Sequence, residues 1–271
     1  MKRCVFPLIR LVQDNFLAPV ISVLFPADCP VCLEPLARYH SGGICLSCWA
    51  SIKVIRKPLC PKCGLPLYEP RIMERTNLPV NGANVGLCGR CQAKKYHFSS
   101  ARALGEYSGS LKEIIGLYKF GKNSHLALPL SRFLMKAIEG DAAFKTYCST
   151  ADTVIAVPLH RKRRRQRGFN QSFLIASEIG KQLQLKVERR VLFRAHDSIP
   201  QSELPASKRE VNVKGKFGIR NARRIKGKKI LLIDDIFTTG ATVSECAKVL
   251  KQGGAVDVSV LTIAHTPLSP A

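Results

Sequence analysis

The chain has 271 residues, 46% of them apolar, and carries a formal charge of +24 at neutral pH. That apolar share excludes a disordered tail, and the length suffices for one large or two smaller hydrophobic cores. Lys and Arg exceed Asp and Glu in both halves, which favours phosphate-bearing partners, whether nucleotide, pyrophosphate or nucleic acid, over acidic ones; a generally basic surface without such a partner is the plain alternative.

The opening stretch MKRCVFPLIRLVQDNFLAPVISVLFPADC imitates a signal peptide, with a basic start and an apolar run. Arg10 and Asp14 interrupt it, no small-x-small cleavage site follows, and the longest uncharged run, Asn15 to Ala27, is only 13 residues. A run of that length is too short to span a bilayer. The segment is expected to pack onto the protein as a helix or extended stretch, with peripheral membrane contact as the alternative. No membrane span is expected, and a cytoplasmic location is.

Eight of the eleven cysteines form four Cys-x-x-Cys pairs: Cys29/Cys32, Cys45/Cys48, Cys60/Cys63 and Cys88/Cys91. Two residues between thiols let both sulfurs face one tetrahedral zinc ion, and two such knuckles complete a four-thiolate site with no open position, so the metal is structural rather than catalytic. Disulfides and redox pairs fit a cytosolic chain with four regularly placed pairs less well. Two zinc ions are therefore expected, paired either in chain order or cross-braced between alternate knuckles. Residues 1–97 are read as the N-terminal segment plus this double ribbon, and 98–271 as a second domain.

Beyond residue 98 helical periodicity takes over. Leu111, Ile114, Ile115 and Tyr118 share one face, and Leu130, Phe133, Leu134 and Ala137 another; Thr153 to Val157 then reads as a buried strand, so an α/β domain follows. After that strand comes VPLHRKRRRQRGFNQS, with six basic residues between His160 and Gly168 and a helix expected from about Asn170 to Leu183. Such a charge run is usually a solvated face or a nucleic-acid patch. Here its place between strand and helix suggests an anion loop.

A second junction of the same kind lies in KKILLIDDIFTTGATVSECAKVL, residues 228 to 250. Ile230 to Ile233 suit a strand covered on both faces. Val243, Cys246, Ala247 and Leu250 recur at helical spacing. Between them Thr238, Thr239, Gly240, Ala241 and Thr242 form a small, hydroxyl-rich loop at a helix start, where unpaired N–H groups and the helix dipole favour a phosphate. Asp234 and Asp235 would repel that phosphate but accept hydrogen bonds from vicinal hydroxyls. A sugar phosphate meets both demands, with ribose hydroxyls on the acids and the 5′-phosphate in the loop. Because neighbouring side chains on a strand point to opposite faces, both acids can serve only if the chain leaves extended geometry at Asp235.

This stretch resembles the phosphoribosyl pyrophosphate (PRPP) motif of type I phosphoribosyltransferases. Together with the Leu-Tyr-Lys-Phe-Gly segment at 117–121, Arg167-Gly168-Phe169-Asn170-Gln171 and PQSELPASKREVNVKGKF, it makes the chain similar to the ComF family of phosphoribosyltransferase-like proteins, some used in natural DNA transformation. The resemblance implies a type I phosphoribosyltransferase fold behind a zinc-ribbon domain, with PRPP at the carboxyl edge of a parallel sheet and Mg²⁺ bridging pyrophosphate and ribose. It further implies that Arg161, Arg163, Arg164, Arg165, Arg167, Gly168 and Asn170 meet the pyrophosphate, and that Gln201, Arg209 and Asn212 belong to a flexible hood. Salvage enzymes for hypoxanthine or guanine carry an aspartate where Thr238 stands, and a threonine cannot take a proton at neutral pH, so that chemistry is disfavoured. Two functions are compatible with these features: transfer of ribose 5-phosphate from PRPP to an unknown acceptor, or single-stranded DNA handling on a non-catalytic scaffold, alongside other DNA-uptake proteins.

Overall fold

The computed structural model describes residues 28–36, 41–67, 86–121, 123–195 and 213–267. The chain divides into two compact units between Ser51 and Ile52. The expected N-terminal segment over residues 1–27 lies outside the described residues.

In the first unit Cys29 opens a tight turn, its carbonyl accepting from Leu33 N–H at 2.7 Å and its own N–H donating to Glu34. Leu33 at φ 62° completes the reversal. Cys45 precedes a short helix, α1 (Leu46–Ala50), and its sulfur accepts from the Cys48 N–H. Cys29, Ile44, Cys48 and Trp49 are the buried ones among the described residues of this unit.

The second unit begins with two more knuckles, the latter of which forms α2 (Gly89–Ala93), and continues into a parallel sheet. The elements are β1 (Ala101–Glu106), α3 (Gly109–Phe120), α4 (Ala127–Ile138), α5 (Ala142–Ser149), β2 (Thr153–Ala156), α6 (Arg161–Arg167), α7 (Gln171–Leu183), β3 (Lys186–Val187), β4 (Leu192–Arg194), β5 (Phe217–Ile219), β6 (Lys229–Phe237), α8 (Ala241–Gln252) and β7 (Asp257–His265). The sheet order is β1-β7-β6-β2-β3, all parallel, with β4 and β5 paired antiparallel beside it.

Strand alternation divides the core. Ile230 and Leu232 point to the side that packs on Val243, Cys246 and Leu250 of α8 and on the knuckle residues Cys60, Leu65 and Cys91. The intervening Leu231 and Ile233, equally buried, point to the opposite face, where α4 and α7 pack on the sheet. The second ribbon is thus part of the sheet's own core. Gly64, at φ +72°, allows this: a Cβ there would lie 2.6 Å from the Ala101 carbonyl oxygen. Arg102 on β1 pairs with Asp141 at 2.5 Å and also donates to the Pro61 carbonyl. Burial alone would raise the Asp141 carboxyl, but the Arg102 guanidinium holds it below its ordinary value. Among the described residues no helix is long and apolar enough to cross a membrane.

Candidate functional site

The strand order sets where a ligand can enter. From β2 the chain crosses outward to β3, and from β6 it crosses the other way to β7, so the connections part above the carboxyl ends of β2 and β6. In open α/β sheets such a reversal leaves a crevice. The two sequence motifs singled out above leave the sheet at these two strand ends.

After β2 the backbone runs through Val157 to His160 and then forms α6, where i to i−4 bonds from Arg164 and Gly168 close at 3.0 and 2.9 Å. The basic run is therefore a short helix rather than a loop, because arginine is a good helix former and Gly168, at φ 81°, ends the helix. None of its residues is buried. Asn170 caps α7 by accepting from Phe173 N–H, and its amide donates to the Val157 carbonyl at 3.1 Å, fastening the helix start to the end of β2. Arg167 lies 5.0 Å from the Phe120 ring centre and donates to Gln171. Burial lowers its guanidinium from the ordinary value, against the pull of Asp235. Phe169 packs on Tyr118 with ring centres 5.8 Å apart.

At the end of β6 the chain remains a strand through Asp235 to Phe237, contrary to the expected departure at Asp235; pairing with β7 continues to Phe237 opposite His265 and holds the backbone extended. The two carboxylates consequently have different surroundings. Asp234 is buried, its Oδ1 accepting from Ser172 Oγ at 3.0 Å and from the Asp235 N–H at 2.9 Å. Burial, then the charge of Asp235, push it up to about 7. Asp235 instead forms an ion pair with Lys119 Nζ at 2.7 Å, both side chains mostly buried. Thr238, Thr239 and Thr242 stay partly exposed while Gly240 and Ala241 are buried, and Ala241 N–H donates to Thr239 Oγ1. Gly240 takes φ +75°, and a Cβ would lie 2.6 Å from the Phe237 ring and 2.9 Å from that of Tyr96. The crevice thus combines carboxylates, one lysine, one partly buried arginine and a helix start, which suits a ligand with both hydroxyls and phosphates.

The cysteines group in chain order: Cys29, Cys32, Cys45 and Cys48, then Cys60, Cys63, Cys88 and Cys91, the ligand atoms of each set lying within 4.8 Å of one another. Sulfurs on a tetrahedral zinc ion at about 2.3 Å stand about 3.8 Å apart. The observed spacings are 3.9 Å for Cys29 to Cys48, 3.6 Å for Cys32 to Cys45 and 3.6 Å for Cys63 to Cys88. Backbone N–H groups also aim at the sulfurs, as from Cys88 to Cys60 at 3.4 Å, which favours thiolates. Both quartets fit zinc. Cys148 and Cys246 are buried, and burial pushes Cys148 up to about 12 and Cys246 well above its ordinary value, so both are packing residues. Cys4 and the hood residues Gln201, Arg209 and Asn212 lie outside the described residues.

Comparison with known proteins agrees with this layout. A double zinc ribbon domain matches residues 20–92, and a phosphoribosyl transferase domain matches residues 170–268. DNA utilization protein YhgH of Escherichia coli K12 is 32% identical over 89% of this chain and 98% of that protein. The chain belongs to the ComF family. Competence protein F of Haemophilus influenzae is 26% identical over 86% of the chain and 96% of that protein. Among solved structures, an adenine phosphoribosyltransferase from Thermoanaerobacter pseudethanolicus aligns over 55% of this chain and 83% of its own, with 18% identity and a TM-score of 0.31. The ComF-family chain thus carries a type I phosphoribosyltransferase fold behind a double zinc ribbon with two cysteine quartets. Lys119 and Ser172 were not legible as site residues, since they approach the acids only through folding; Lys119 sits within the Leu-Tyr-Lys-Phe-Gly segment, its one sequence signal.

Asp234 ionises near 3.8 when exposed and near 7 when folded, so between those values the native state holds a proton that the unfolded chain lacks. Its contribution to stability falls as pH rises from about 4 to about 7 and is level above. Asp234→Asn should therefore gain stability relative to the wild type across that window, read as urea midpoints between about pH 5.5 and 8; parallel curves would refute the shift.

The chain should also carry one zinc ion per quartet, and elemental analysis should find one ion fewer in either Cys29→Ser or Cys60→Ser. Trp49, the single tryptophan, lies in the first unit, so its fluorescence should change in Cys29→Ser and stay unchanged in Cys60→Ser. The Cys60 variant should instead lower the melting temperature of the sheet unit by roughly 10 °C or more, because structural zinc supplies folding energy.

Proposed function

We propose that the crevice binds PRPP with Mg²⁺ and transfers its ribose 5-phosphate to an acceptor. The observation that carries this reading is the meeting, at one topological reversal, of the Asp234/Asp235 pair and the Thr238–Thr242 loop from β6 with the α6–Asn170 segment from β2. In this reading Thr238, Thr239, Gly240, Ala241 and Thr242 cradle the 5′-phosphate against the start of α8. Asp235 meets the ribose hydroxyls, directly or through Mg²⁺, and Asp234 anchors it from below through the Asp235 N–H. Arg167, with Arg161, Arg163, Arg164 and Arg165 along α6 and the turn Gly168–Asn170, takes the pyrophosphate. Lys119 balances Asp235 between ligands and offers a donor to the same ligand. Magnesium, when bound, would neutralise pyrophosphate charge.

The reaction breaks the C1–oxygen bond of the ribose. Pyrophosphate leaves with the bonding pair, an oxocarbenium-like ribose develops, and the acceptor's lone pair closes the new bond; positioning and charge stabilisation are the protein's share. Asp235→Asn keeps size and removes charge, so it should weaken Mg²⁺–PRPP binding about tenfold or more in calorimetry, as expected on removing a charge-assisted hydrogen bond of about 1.5–3 kcal/mol, while binding of inorganic phosphate changes little. Equal losses for both ligands would refute the assignment of the acids. Release of radiolabelled pyrophosphate in an acceptor screen tests the transfer itself.

The exposed arginine face of α6 favours a second reading, in which the chain handles single-stranded DNA. Its relatives are named for competence and DNA utilization, and we infer a role in handling incoming DNA, in company with other DNA-uptake proteins. Phe169 contributes little base stacking, being packed on Tyr118, so ion pairs with phosphates would dominate. Replacing Arg163, Arg164 and Arg165 together should then lower the salt dependence of single-stranded DNA affinity by up to about two in log–log slope, roughly 0.7 for each phosphate no longer neutralised. An unchanged slope would place any DNA binding away from α6.

A further inference from the structure

The second cysteine quartet lies close to the phosphate loop in a way that its structural role does not require. Arg90 sits between the ligands Cys88 and Cys91 on α2, and its Nη1 donates to the Thr238 carbonyl at 3.1 Å. Tyr96, five residues past Cys91, donates from its hydroxyl to the Thr239 carbonyl at 2.8 Å. The His97 N–H donates to Ser244 Oγ, in the first turn of α8, at 3.2 Å. Three donors from one short segment thus hold two consecutive loop carbonyls and the helix that follows.

Packing makes this junction rigid. Tyr96 is buried, stacked on Phe98 with centres 5.0 Å apart and set edge-on to Phe237 at 6.4 Å. Phe237 in turn stacks on His265 at 4.7 Å. Gly240, the loop's turning point, fits only because it has no Cβ to meet Phe237 and Tyr96. A peptide whose carbonyl is held on one side presents its N–H toward the other. Holding the carbonyls of Thr238 and Thr239 on the ribbon therefore fixes the direction in which Thr239 and Gly240 present their N–H groups.

We propose that Arg90 and Tyr96 are positioning residues for the phosphate loop, so that metal occupancy of the Cys60/Cys63/Cys88/Cys91 quartet and affinity for the 5′-phosphate of PRPP are thermodynamically coupled. The affinity half of this inference rests on the PRPP reading above; the loop-anchoring half does not. Both residues act through the loop carbonyls they hold. Zinc organises α2, α2 and Tyr96 hold the loop, and the loop's donors meet the phosphate without having to be ordered at the moment of binding, a saving that appears as affinity. By linkage, PRPP must then tighten zinc by the same factor by which zinc tightens PRPP.

The test uses the full zinc-loaded chain with Arg90→Ala, Tyr96→Phe and the double variant, all of which keep the quartet. Each should retain zinc at wild-type content. Amide hydrogen exchange at residues 238–242, measured without ligand, should accelerate in the double variant while exchange along β6 stays as in the wild type. Calorimetry with Mg²⁺–PRPP should show a loss of about fivefold for each single variant, as for one hydrogen bond of about 1 kcal/mol, and Arg90→Lys should recover part of it. In competition against a zinc-selective chromogenic chelator, PRPP should raise the zinc affinity of one of the two sites in the wild type and not in the double variant. Unchanged loop exchange overturns the anchoring, whatever the ligand does. Accelerated exchange with unaltered PRPP affinity, or no effect of PRPP on zinc, overturns the coupling. A wild type that binds no PRPP while the variants still accelerate exchange overturns the reading of the site and leaves the anchor standing.

Discussion

The opposite directions in which β2 and β6, parallel neighbours, send their crossovers are the constraint on which the rest of this structure depends. Parallel strands need crossovers that return over one face or the other, and where neighbouring strands send their crossovers opposite ways, no connection covers the gap between their carboxyl ends. Around that gap stand the polar groups of the site. Asp234 and Asp235 end one strand, Asn170 is fastened to the end of the other, and Lys119 enters from the end of α3. Hydrophobic burial below pins both strands, with Leu231, Leu232 and Ile233 fully enclosed, so the polar groups above are held by a scaffold that does not relax around them.

The acids illustrate how extended geometry separates two apparently equivalent residues. One step along β6 turns Asp234 inward, where burial and its neighbour's charge keep it near the point of protonation at neutral pH, while Asp235 meets a lysine. A buried carboxyl that can carry a proton costs less than a buried ion, and its Oδ1 still accepts from Ser172 Oγ and from the backbone N–H of Asp235. Division of labour between adjacent like charges is the usual consequence when both cannot ionise freely.

Where the ribbon packs matters as much as that it exists. The first quartet stands in a unit of its own, with Trp49 and Ile44 for a core. The second is continuous with the sheet, its sulfurs sharing one hydrophobic cluster with β6 and α8, and its polar neighbours reach the carbonyls of Thr238 and Thr239. Two chemically identical metal sites therefore stand in different mechanical positions, and a metal-dependent property of the sheet unit would follow the second.

Local pattern was enough to reveal the metal quartets, the strand-loop-helix junctions and the acid pair, because each is written in a short window: ligands two residues apart, an apolar run of four, a Thr/Gly loop before a helical stripe. The family resemblance, too, was carried by contiguous motifs. What short windows do not contain is which distant residue closes on which. Lys119 and Asp235 are an ion pair only because α3 ends beside the crevice, and Arg90 and Tyr96 reach Thr238 and Thr239, far along the chain, only because the second ribbon is buried on the sheet. The pairing of knuckles in chain order, the helical form of the arginine run and the unbroken strand through Asp235 were likewise decided by packing and by the neighbouring strand, since backbone hydrogen bonds to β7 outweigh the turn tendency of the loop that follows.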